Sequence, residues 1–155
     1  MGLTFSQIAA LQDLEGLLVL PFAAGSDLSG NQYQLVKAAA PGNGLQLVPV
    51  ASYLDQPLAV CSGAPNAQGV LAEFVVIGAT QIFAGAVAPT YGQQVVMDAA
   101  GNVIPLAGAP DGSWLVGVCL SDGASPGDVI LCFVDLVSPR QVTGDDAFAF
   151  FEGRR

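Results

Sequence analysis

The stretch that decides the fold is Gln94-Val95-Val96-Met97-Asp98-Ala99-Ala100-Gly101-Asn102, because a similar stretch occurs earlier as Gln34-Leu35-Val36-Lys37-Ala38-Ala39-Ala40 followed by Gly42-Asn43. Both copies continue with the same order of apolar runs. These runs are Val48-Pro49-Val50, Leu58-Ala59-Val60-Cys61 and Phe74-Val75-Val76 in the first copy, and Ile104-Pro105-Leu106, Val116-Gly117-Val118-Cys119 and Cys132-Phe133-Val134 in the second. From Cys61 and Cys119 onward the offset stays at 58 residues. The pattern predicts one β-unit that occurs twice, at 30–78 and 90–136.

Short apolar segments separated by turn residues extend through 31–136. Their enrichment in Val, Leu, Ile and aromatic residues is typical of β-strands, and Gly, Pro, Asn and Asp occupy the breaks. We predict strands at 32–38, 45–50, 57–61, 70–77, 80–86, 93–98, 102–106, 113–120 and 128–135. Many short strands at regular spacing indicate an all-β fold, a small β-sandwich or barrel built from the two similar units.

The segments on either side of this β-domain have a different character. Thr4 and Gln7 fit a capping box, and the apolar residues that follow have helical spacing, so a short N-terminal helix is predicted near 5–15. Small and polar residues at 23–30 predict a linker. The chain therefore divides into an N-terminal helix or arm with its linker (1–29), the β-domain (30–136) and a Phe-rich C-terminal tail (137–155).

The composition narrows the class of protein. The chain has 155 residues, 11% charged side chains and a net charge of −9, and this length fits one domain. A charged fraction this low indicates that part of the surface faces another protein. Among the four basic residues, only Arg154 and Arg155 are adjacent. A cluster of two is too small to bind a nucleic-acid backbone. No apolar run is long enough to cross a bilayer, and the N-terminus lacks the basic region of a signal peptide. We therefore expect synthesis in a cytoplasm, without a nucleic-acid or membrane partner.

The residues that carry most enzyme chemistry are scarce. The sequence contains no histidine, which excludes Ser-His-Asp and Cys-His catalysis and histidine metal sites. The three cysteines lie in apolar runs, as is typical of buried free thiols. Several carboxylates lie in predicted turns, where they act as turn formers: Asp98, Asp111, Asp122 and Asp128. We expect no enzyme, no cofactor and no metal. A carboxylate-based enzyme stays open as an alternative that needs two close acids with separated pKa values.

Both ends of the chain carry candidate partner contacts. These are Ile8, Leu11, Leu14, Phe148, Phe150 and Phe151. The first three share one face of the predicted helix, which packs either on its own domain or on a neighbouring protein. The phenylalanines either close the core of their own domain or fill a pocket on a partner.

A carbohydrate-binding β-sandwich is the alternative function. Sugar sites use aromatic rings as flat platforms, and Trp and Tyr suit them because they combine an apolar face with a polar group. The candidates are Trp114, Tyr33, Tyr53 and Tyr91. All four lie in or beside predicted strands, where they can also pack in the core or at an interface.

Three motifs follow one another in the second half of the chain. They are Gln93-Gln94-Val95-Val96-Met97-Asp98-Ala99-Ala100-Gly101-Asn102-Val103, then Trp114-Leu115-Val116-Gly117-Val118-Cys119, then Ala124-Ser125-Pro126-Gly127-Asp128-Val129-Ile130. In order and spacing this series resembles the capsid decoration (cement) proteins of tailed bacteriophages. Two earlier stretches are similar to the first half of the same family: Tyr33-Gln34-Leu35-Val36-Lys37 and Gln68-Gly69-Val70-Leu71-Ala72-Glu73-Phe74. The resemblance covers 30–136.

The resemblance implies a function. Proteins of this family are compact β-domains that assemble as trimers on the outside of the head, at three-fold and quasi-three-fold positions. The implied partners are the major capsid protein and further copies of this chain as a homotrimer, and the implied role is to stabilise contacts between capsid subunits after the shell expands. The family has no catalytic residues to transfer. The expected location is the outer capsid surface of the virion, after synthesis in the host cytoplasm.

Overall fold

The computed structural model describes residues 18–39, 45–122 and 124–143. All regular elements in these ranges are β-strands, which confirms the predicted all-β class. The strands are β1 (Leu18–Ala24), β2 (Leu35–Ala38), β3 (Gln46–Pro49), β4 (Ala59–Cys61), β5 (Leu71–Phe83), β6 (Gln94–Met97), β7 (Val103–Pro105), β8 (Trp114–Cys119), β9 (Val129–Asp135) and β10 (Arg140–Gln141). The helix predicted near 5–15 and the tail beyond residue 143 lie outside the described residues.

The first five strands pair into a closed arrangement, the first ring. β1 pairs with β3 in parallel, and antiparallel pairs then connect β3 to β2, β2 to β4, and β4 to β5. The ring closes because β1 also pairs with the first half of β5, from Leu18 beside Ile77 to Ala23 beside Leu71. Closing a sheet on itself gives the edge strands backbone partners.

The remaining strands repeat this arrangement as the second ring. Its members are the second half of β5 and then β9, β8, β6 and β7, joined in that order by antiparallel pairs. A parallel bridge between Ala84 and Val103 closes it. The short β10 adds to β8, where Arg140 lies beside Leu115. The two rings therefore share one long strand, β5.

The strand registers of the two rings are equivalent. In the first ring, Cys61 of β4 lies opposite Phe74 of β5. In the second ring, Cys119 of β8 lies opposite Cys132 of β9. These two pairs are related by the 58-residue offset seen in the sequence. The repeated sequence pattern therefore coincides with a repeated pattern of strand pairing.

The structural repeat begins earlier than residue 30, because β1 is the counterpart of the second half of β5. The Ala24 N–H donates to the Val70 carbonyl at 2.9 Å, and the Ala84 N–H donates to the Asp128 carbonyl at 2.8 Å in the equivalent place. The linker predicted at 23–30 is wrong at its start, since β1 extends to Ala24. The small residues there suit the close packing at the end of a strand as well as they suit a loop.

β5 is one continuous strand, although the sequence predicts separate strands at 70–77 and 80–86. Gly78 lies where the strand passes from the first ring to the second, and it has a φ of 139°. It remains in the ladder opposite Val134. A glycine inside a strand permits an unusual backbone conformation without an end to the pairing, so the apparent break in the sequence is not a break in the strand.

One detail of the repeat differs from the sequence alignment by one residue. The Cys61 N–H donates to the Gln34 carbonyl and the Cys119 N–H donates to the Gln93 carbonyl, so Gln34 corresponds to Gln93 and not to Gln94. The second unit has two adjacent glutamines, and residue identity gives no reason to choose between them. Backbone pairing decides the register.

The two rings share one main hydrophobic core, beside which a smaller buried cluster contains Val96, Leu106 and Val142. Fully buried Leu47 and Phe74 of the first ring belong to the same cluster as Met97 of the second. The rings are also joined by the backbone, because the Leu35 N–H donates to the Gly101 carbonyl at 2.8 Å. A side chain on Gly101 would lie only 2.7 Å from the Leu35 oxygen, so glycine permits this close approach. The described residues therefore form one packed body.

Candidate partner-binding surface

Six predicted contacts lie outside the described residues: Ile8, Leu11, Leu14, Phe148, Phe150 and Phe151. The structure shows where the N-terminal segment joins the fold. Leu18 begins β1 beside Ile77 of β5, and Ile77 lies beside Asp135 at the end of β9 on its other side. The N-terminal segment therefore enters the fold two strands from the point where the chain leaves β9 toward the tail.

β1 has apolar side chains on both faces. Its inner face packs on the core through Leu20 and Phe22. On its outer face Val19 is 47% exposed, and the neighbouring Leu71 of β5 is 70% exposed. We call this surface the outer strip and define it by four residues that share one side of the β1–β5 pair: Val19, Pro21, Ala23 and Leu71. The exposed Glu73 lies opposite Pro21 on the same side. Apolar residues grouped on an exposed face mark interaction sites on soluble proteins.

The second ring has a counterpart of the outer strip. Phe83 and Val129 lie opposite each other, in the place that Ala23 and Leu71 occupy in the first ring. The Tyr33 ring lies against Phe83, with 6.0 Å between the ring centroids. We call these three residues, Tyr33, Phe83 and Val129, the aromatic patch. Aromatic rings with a polar tip are enriched at protein interfaces.

The backbone of Tyr33 is in the left-handed region, with a φ of 66°. Two hydrogen bonds hold it there: its N–H donates to the Cys61 carbonyl at 2.7 Å, and its carbonyl accepts from the Phe83 N–H at 3.0 Å. A bulky residue with positive φ is uncommon and is disfavoured by contacts of its Cβ. The fold therefore keeps a tyrosine at a costly position, where its ring forms part of the aromatic patch. Sequence reasoning missed this because the turn is recognisable only after correct alignment with Gly92.

The other aromatic residues considered as a sugar platform have separate environments. Trp114 is half-buried against the core, and its Nε1–H donates to the Leu54 carbonyl at 3.1 Å. Tyr91 is 53% exposed in the turn before β6, and Tyr53 is half-buried in the turn before β4. Trp114 thus connects the second ring to a turn of the first through its indole N–H.

Carboxylates in the turns accept hydrogen bonds from their own loops. Asp98 Oδ1 accepts from the Ala100 N–H at 2.9 Å and from the Asn102 N–H at 3.0 Å. Asp128 Oδ2 accepts from the Ser125 N–H at 2.8 Å. These contacts explain both residues as turn formers.

Asp55 has the most connected side chain of this kind. Its Oδ2 accepts from Lys37 Nζ at 2.9 Å and from the Ala51 N–H at 2.8 Å. The hydrogen bond from Lys37, followed by the one from Ala51, holds the pKa of Asp55 below its ordinary value. Lys37 and Asp55 together therefore fasten the turn after β3 to strand β2.

A shallow groove of about 240 Å³ lies where the chain turns from β9 to β10. Its polar lining consists of Gln94, Asp135, Ser138 and Arg140. Gln94 Oε1 is buried without a hydrogen-bond partner.

Over the described ranges, no group of three or more Cys, Asp or Glu side chains is arranged to hold a metal ion. In the same ranges, no helix is long and apolar enough to cross a membrane.

Comparisons with known proteins identify a related fold. No protein-family model matches the sequence, and no curated protein matches it. Among solved structures, the chain is similar to the head fiber gp8.5 N base in bacteriophage phi29, with a TM-score of 0.55 and 16% sequence identity. The match covers 77% of this chain and 94% of that chain. At this identity the similarity establishes a shared fold.

Proposed function

We propose that this chain is a structural protein of a tailed-phage virion that binds the outer surface of the head. The observation that carries the proposal is the shared fold with the head fiber base of phage phi29, which is matched over 94% of its length. The sequence motifs that resemble capsid decoration proteins support the same assignment independently. Fold and motif similarity thus agree on the phage head.

Within this proposal, the chain acts as a cement protein, and no residue has a catalytic role. A homotrimer contacts neighbouring major capsid subunits after expansion of the shell. A ligand that binds the expanded lattice and not its precursor stabilises the expanded state by mass action. Three linked copies convert weak individual contacts into tight attachment, because binding of the first copy raises the effective concentration of the others.

The outer strip and the aromatic patch are the described surfaces best suited to these contacts. Both expose apolar side chains, with Leu71 exposed by 70% and Val129 by 40%. Because Phe83 and Val129 occupy the places of Ala23 and Leu71, the two surfaces share one equivalent pair of strand positions. The terminal contacts, including Ile8 and Phe148, would add to these surfaces in the proposed complex.

The carbohydrate-binding alternative has weaker support. A sugar platform needs several open aromatic faces side by side, whereas Trp114 packs on the core with its indole N–H bound to Leu54, and the exposed Tyr91 lies in a separate turn. A glycan array separates the two functions: binding that is lost on Trp114→Ala would favour the sugar site.

The experiment that tests the proposal is co-sedimentation with heads assembled from the major capsid protein of the same phage. Purified protein is mixed with unexpanded and with expanded heads, and the bound amount is measured over a range of concentrations. We expect saturable binding to expanded heads, at a trimeric stoichiometry, together with a higher melting temperature of the heads. Absence of saturable binding to either form would contradict the proposal.

A truncation isolates the contribution of the tail. Removal of 141–155 would also remove Gln141, which pairs with Trp114, and Val142, which is 1% exposed. The better variant ends at Thr143 and leaves the described fold intact. Unchanged occupancy on heads would show that Phe148, Phe150 and Phe151 are not capsid contacts.

A further inference from the structure

The second ring contains two thiols that the proposed function does not use. Cys119 of β8 and Cys132 of β9 lie directly opposite each other. Both are free and fully buried. Side chains opposite each other in an antiparallel pair have Cβ atoms roughly 4.5–5.5 Å apart. Their sulfur atoms therefore face each other on one side of the sheet.

The hydrogen bonds around this pair show which kind of cross-strand pair it is. The Leu120 N–H donates to the Leu131 carbonyl at 2.8 Å, so the next pair along is of the hydrogen-bonded type. Pair types alternate along an antiparallel ladder, which makes Cys119 and Cys132 a non-hydrogen-bonded pair with a Cα separation of about 4.5 Å. Disulfides span Cα separations of about 4.4–6.8 Å, so a bond here needs little movement of the backbone.

The Cys119 thiol donates to the Ser121 carbonyl, with 3.3 Å between sulfur and oxygen, and the two thiols shift each other's pKa. A hydrogen bond from the Cys132 thiol lowers the pKa of Cys119 to about 7. The same contact, together with burial, raises the pKa of Cys132. Cys61 has no such neighbour, and burial raises its pKa to about 11. Because the thiolate is the form that attacks disulfides, the lowered pKa favours Cys119 as the attacking thiol.

We propose that Cys119 and Cys132 form a disulfide by exchange with a disulfide oxidant such as oxidised glutathione. The Cys119 thiolate attacks one glutathione sulfur, the glutathione S–S bond breaks, and one glutathione thiolate leaves. Cys132 then loses its proton to solvent and attacks the Cys119 sulfur, which releases the second glutathione thiolate. The two protein thiols are oxidised to one disulfide, and one oxidised glutathione is reduced to two glutathione molecules.

The burial of the pair determines when the reaction occurs. Because both residues are 0% exposed, the oxidant reaches Cys119 only after local opening of the β8–β9 pair. The thiols stay reduced in a cytoplasm and are oxidised outside it. This timing rests on the proposed function, since a virion leaves the cytoplasm when the host lyses. The exchange chemistry itself does not depend on the proposed function. The cross-link would hold β8 to β9 after release.

The first ring supplies a matched control. Cys61 occupies the place of Cys119, but its neighbour across the strand is Phe74 and not a second thiol. Oxidation should therefore leave Cys61 as a free thiol. A Cys61→Ala variant should form the same disulfide as the natural protein, and a Cys132→Ser variant should form none.

The test uses the purified full chain, first reduced and then incubated with oxidised glutathione, including at a temperature just below the melting transition. Free thiols are counted after denaturation, and cross-linked peptides are identified by mass spectrometry. We expect the three thiols of the chain to fall to one, and the linked peptide to contain Cys119 and Cys132. We also expect the melting temperature to rise by roughly 5–10 °C, because the cross-link constrains the unfolded chain.

Three results would overturn the proposal: retention of all thiols, a stable glutathione adduct on Cys119 without ring closure, or a cross-link that includes Cys61. Since the natural sequence gives the deciding readout, a folding defect of Cys132→Ser would leave the test valid. No heads are involved, so failure here is distinguishable from failure of head binding.

Discussion

Tyr33 and Gly92 occupy equivalent positions in the two rings and share a left-handed backbone conformation, with φ values of 66° and 84°. Each N–H donates to the carbonyl of the equivalent cysteine: Tyr33 to Cys61 at 2.7 Å and Gly92 to Cys119 at 2.8 Å. The turn therefore requires a positive φ in both units. Glycine meets this requirement in the second unit without strain, whereas the first unit keeps a tyrosine whose ring lies on Phe83.

The cost of this conformation can be measured at Gly92, where a Cβ would meet no atom within 4 Å. We expect Gly92→Ala to lower the free energy of unfolding by about 1–2 kcal/mol through the backbone alone. Gly30 is the matched control, because a Cβ there also meets nothing within 4 Å and its φ is not positive. Gly30→Ala should be neutral or stabilising by less than about 1 kcal/mol in urea denaturation. Equal effects of the two substitutions would contradict the argument.

A substitution of Gln94 should stabilise the fold, in contrast to Gly92→Ala. Its Oε1 is buried without a partner, and its counterpart in the first ring is Leu35, since Leu35 lies opposite Val60 as Gln94 lies opposite Val118. Replacing an unsatisfied polar group by an apolar one removes its desolvation penalty, so Gln94→Leu should raise the free energy of unfolding by roughly 1 kcal/mol.

The control is Gln81→Leu at an exposed position of β5, which should change stability by less than about 0.5 kcal/mol. A loss of stability in Gln94→Leu alone would show that the Gln94 amide makes a favourable interaction in the folded protein.

The sequence predicted the strands better than it predicted their connections. Short runs rich in Val, Leu and Ile between turn residues locate β2 to β4 and β6 to β9, because both signals are local in the sequence. β1 was missed because its two faces are both apolar, which removes the alternation. Gly78 suggests a strand end in the sequence, although β5 continues through it. Closure of the rings depends on contacts distant in the chain, such as Leu18 beside Ile77, and no local pattern carries that information.

Acid should weaken the fold through Asp55. Its pKa in the folded protein is below the ordinary 3.8, mainly because of the hydrogen bond from Lys37. A depressed carboxyl pKa contributes stability above the ordinary value, and this contribution is lost as the pH falls through the folded-state pKa. We therefore expect the urea midpoint to fall less steeply with acid in Asp55→Asn than in the natural protein.

Lys37→Met is the companion variant, since it removes the main cause of the shift and leaves the carboxyl in place. It should also reduce the fall of the urea midpoint between about pH 6 and about pH 2. If the urea midpoint falls as steeply with acid in both variants as in the natural protein, this pair is ruled out as a source of pH dependence.

The outer strip can be tested by one charge. Leu71→Lys places an ammonium on a side chain that is 70% exposed, so the free energy of unfolding should stay within about 0.5 kcal/mol of the natural value. If the strip contacts a capsid subunit or another copy, burial of that charge should weaken binding to expanded heads by about tenfold or more.

Val87→Lys is the matched control, because Val87 is 59% exposed in a loop away from the strip residues in sequence. It should bind heads normally. Normal binding by Leu71→Lys, or an equal defect in both variants, would remove the outer strip from the proposed interface.

The candidate contacts illustrate how far sequence reasoning reaches for function. Helical spacing and aromatic clustering select the ends of the chain, Ile8 and Phe148 among them, since these patterns are local. The outer strip and the aromatic patch arise only when separate segments are brought together, as when Ala23 comes to lie beside Leu71. Tyr33 carries no local signal, because its unusual backbone is imposed by bonds to Cys61 and Phe83.

The most direct test of head binding is a cryo-electron microscopy reconstruction of phage heads made with and without this chain. We expect heads with the chain to carry additional density on the outer surface, at three-fold and quasi-three-fold positions, into which the two fused β-rings fit. Heads lacking the chain should have bare positions there. Identical reconstructions of the two heads would contradict the proposed function.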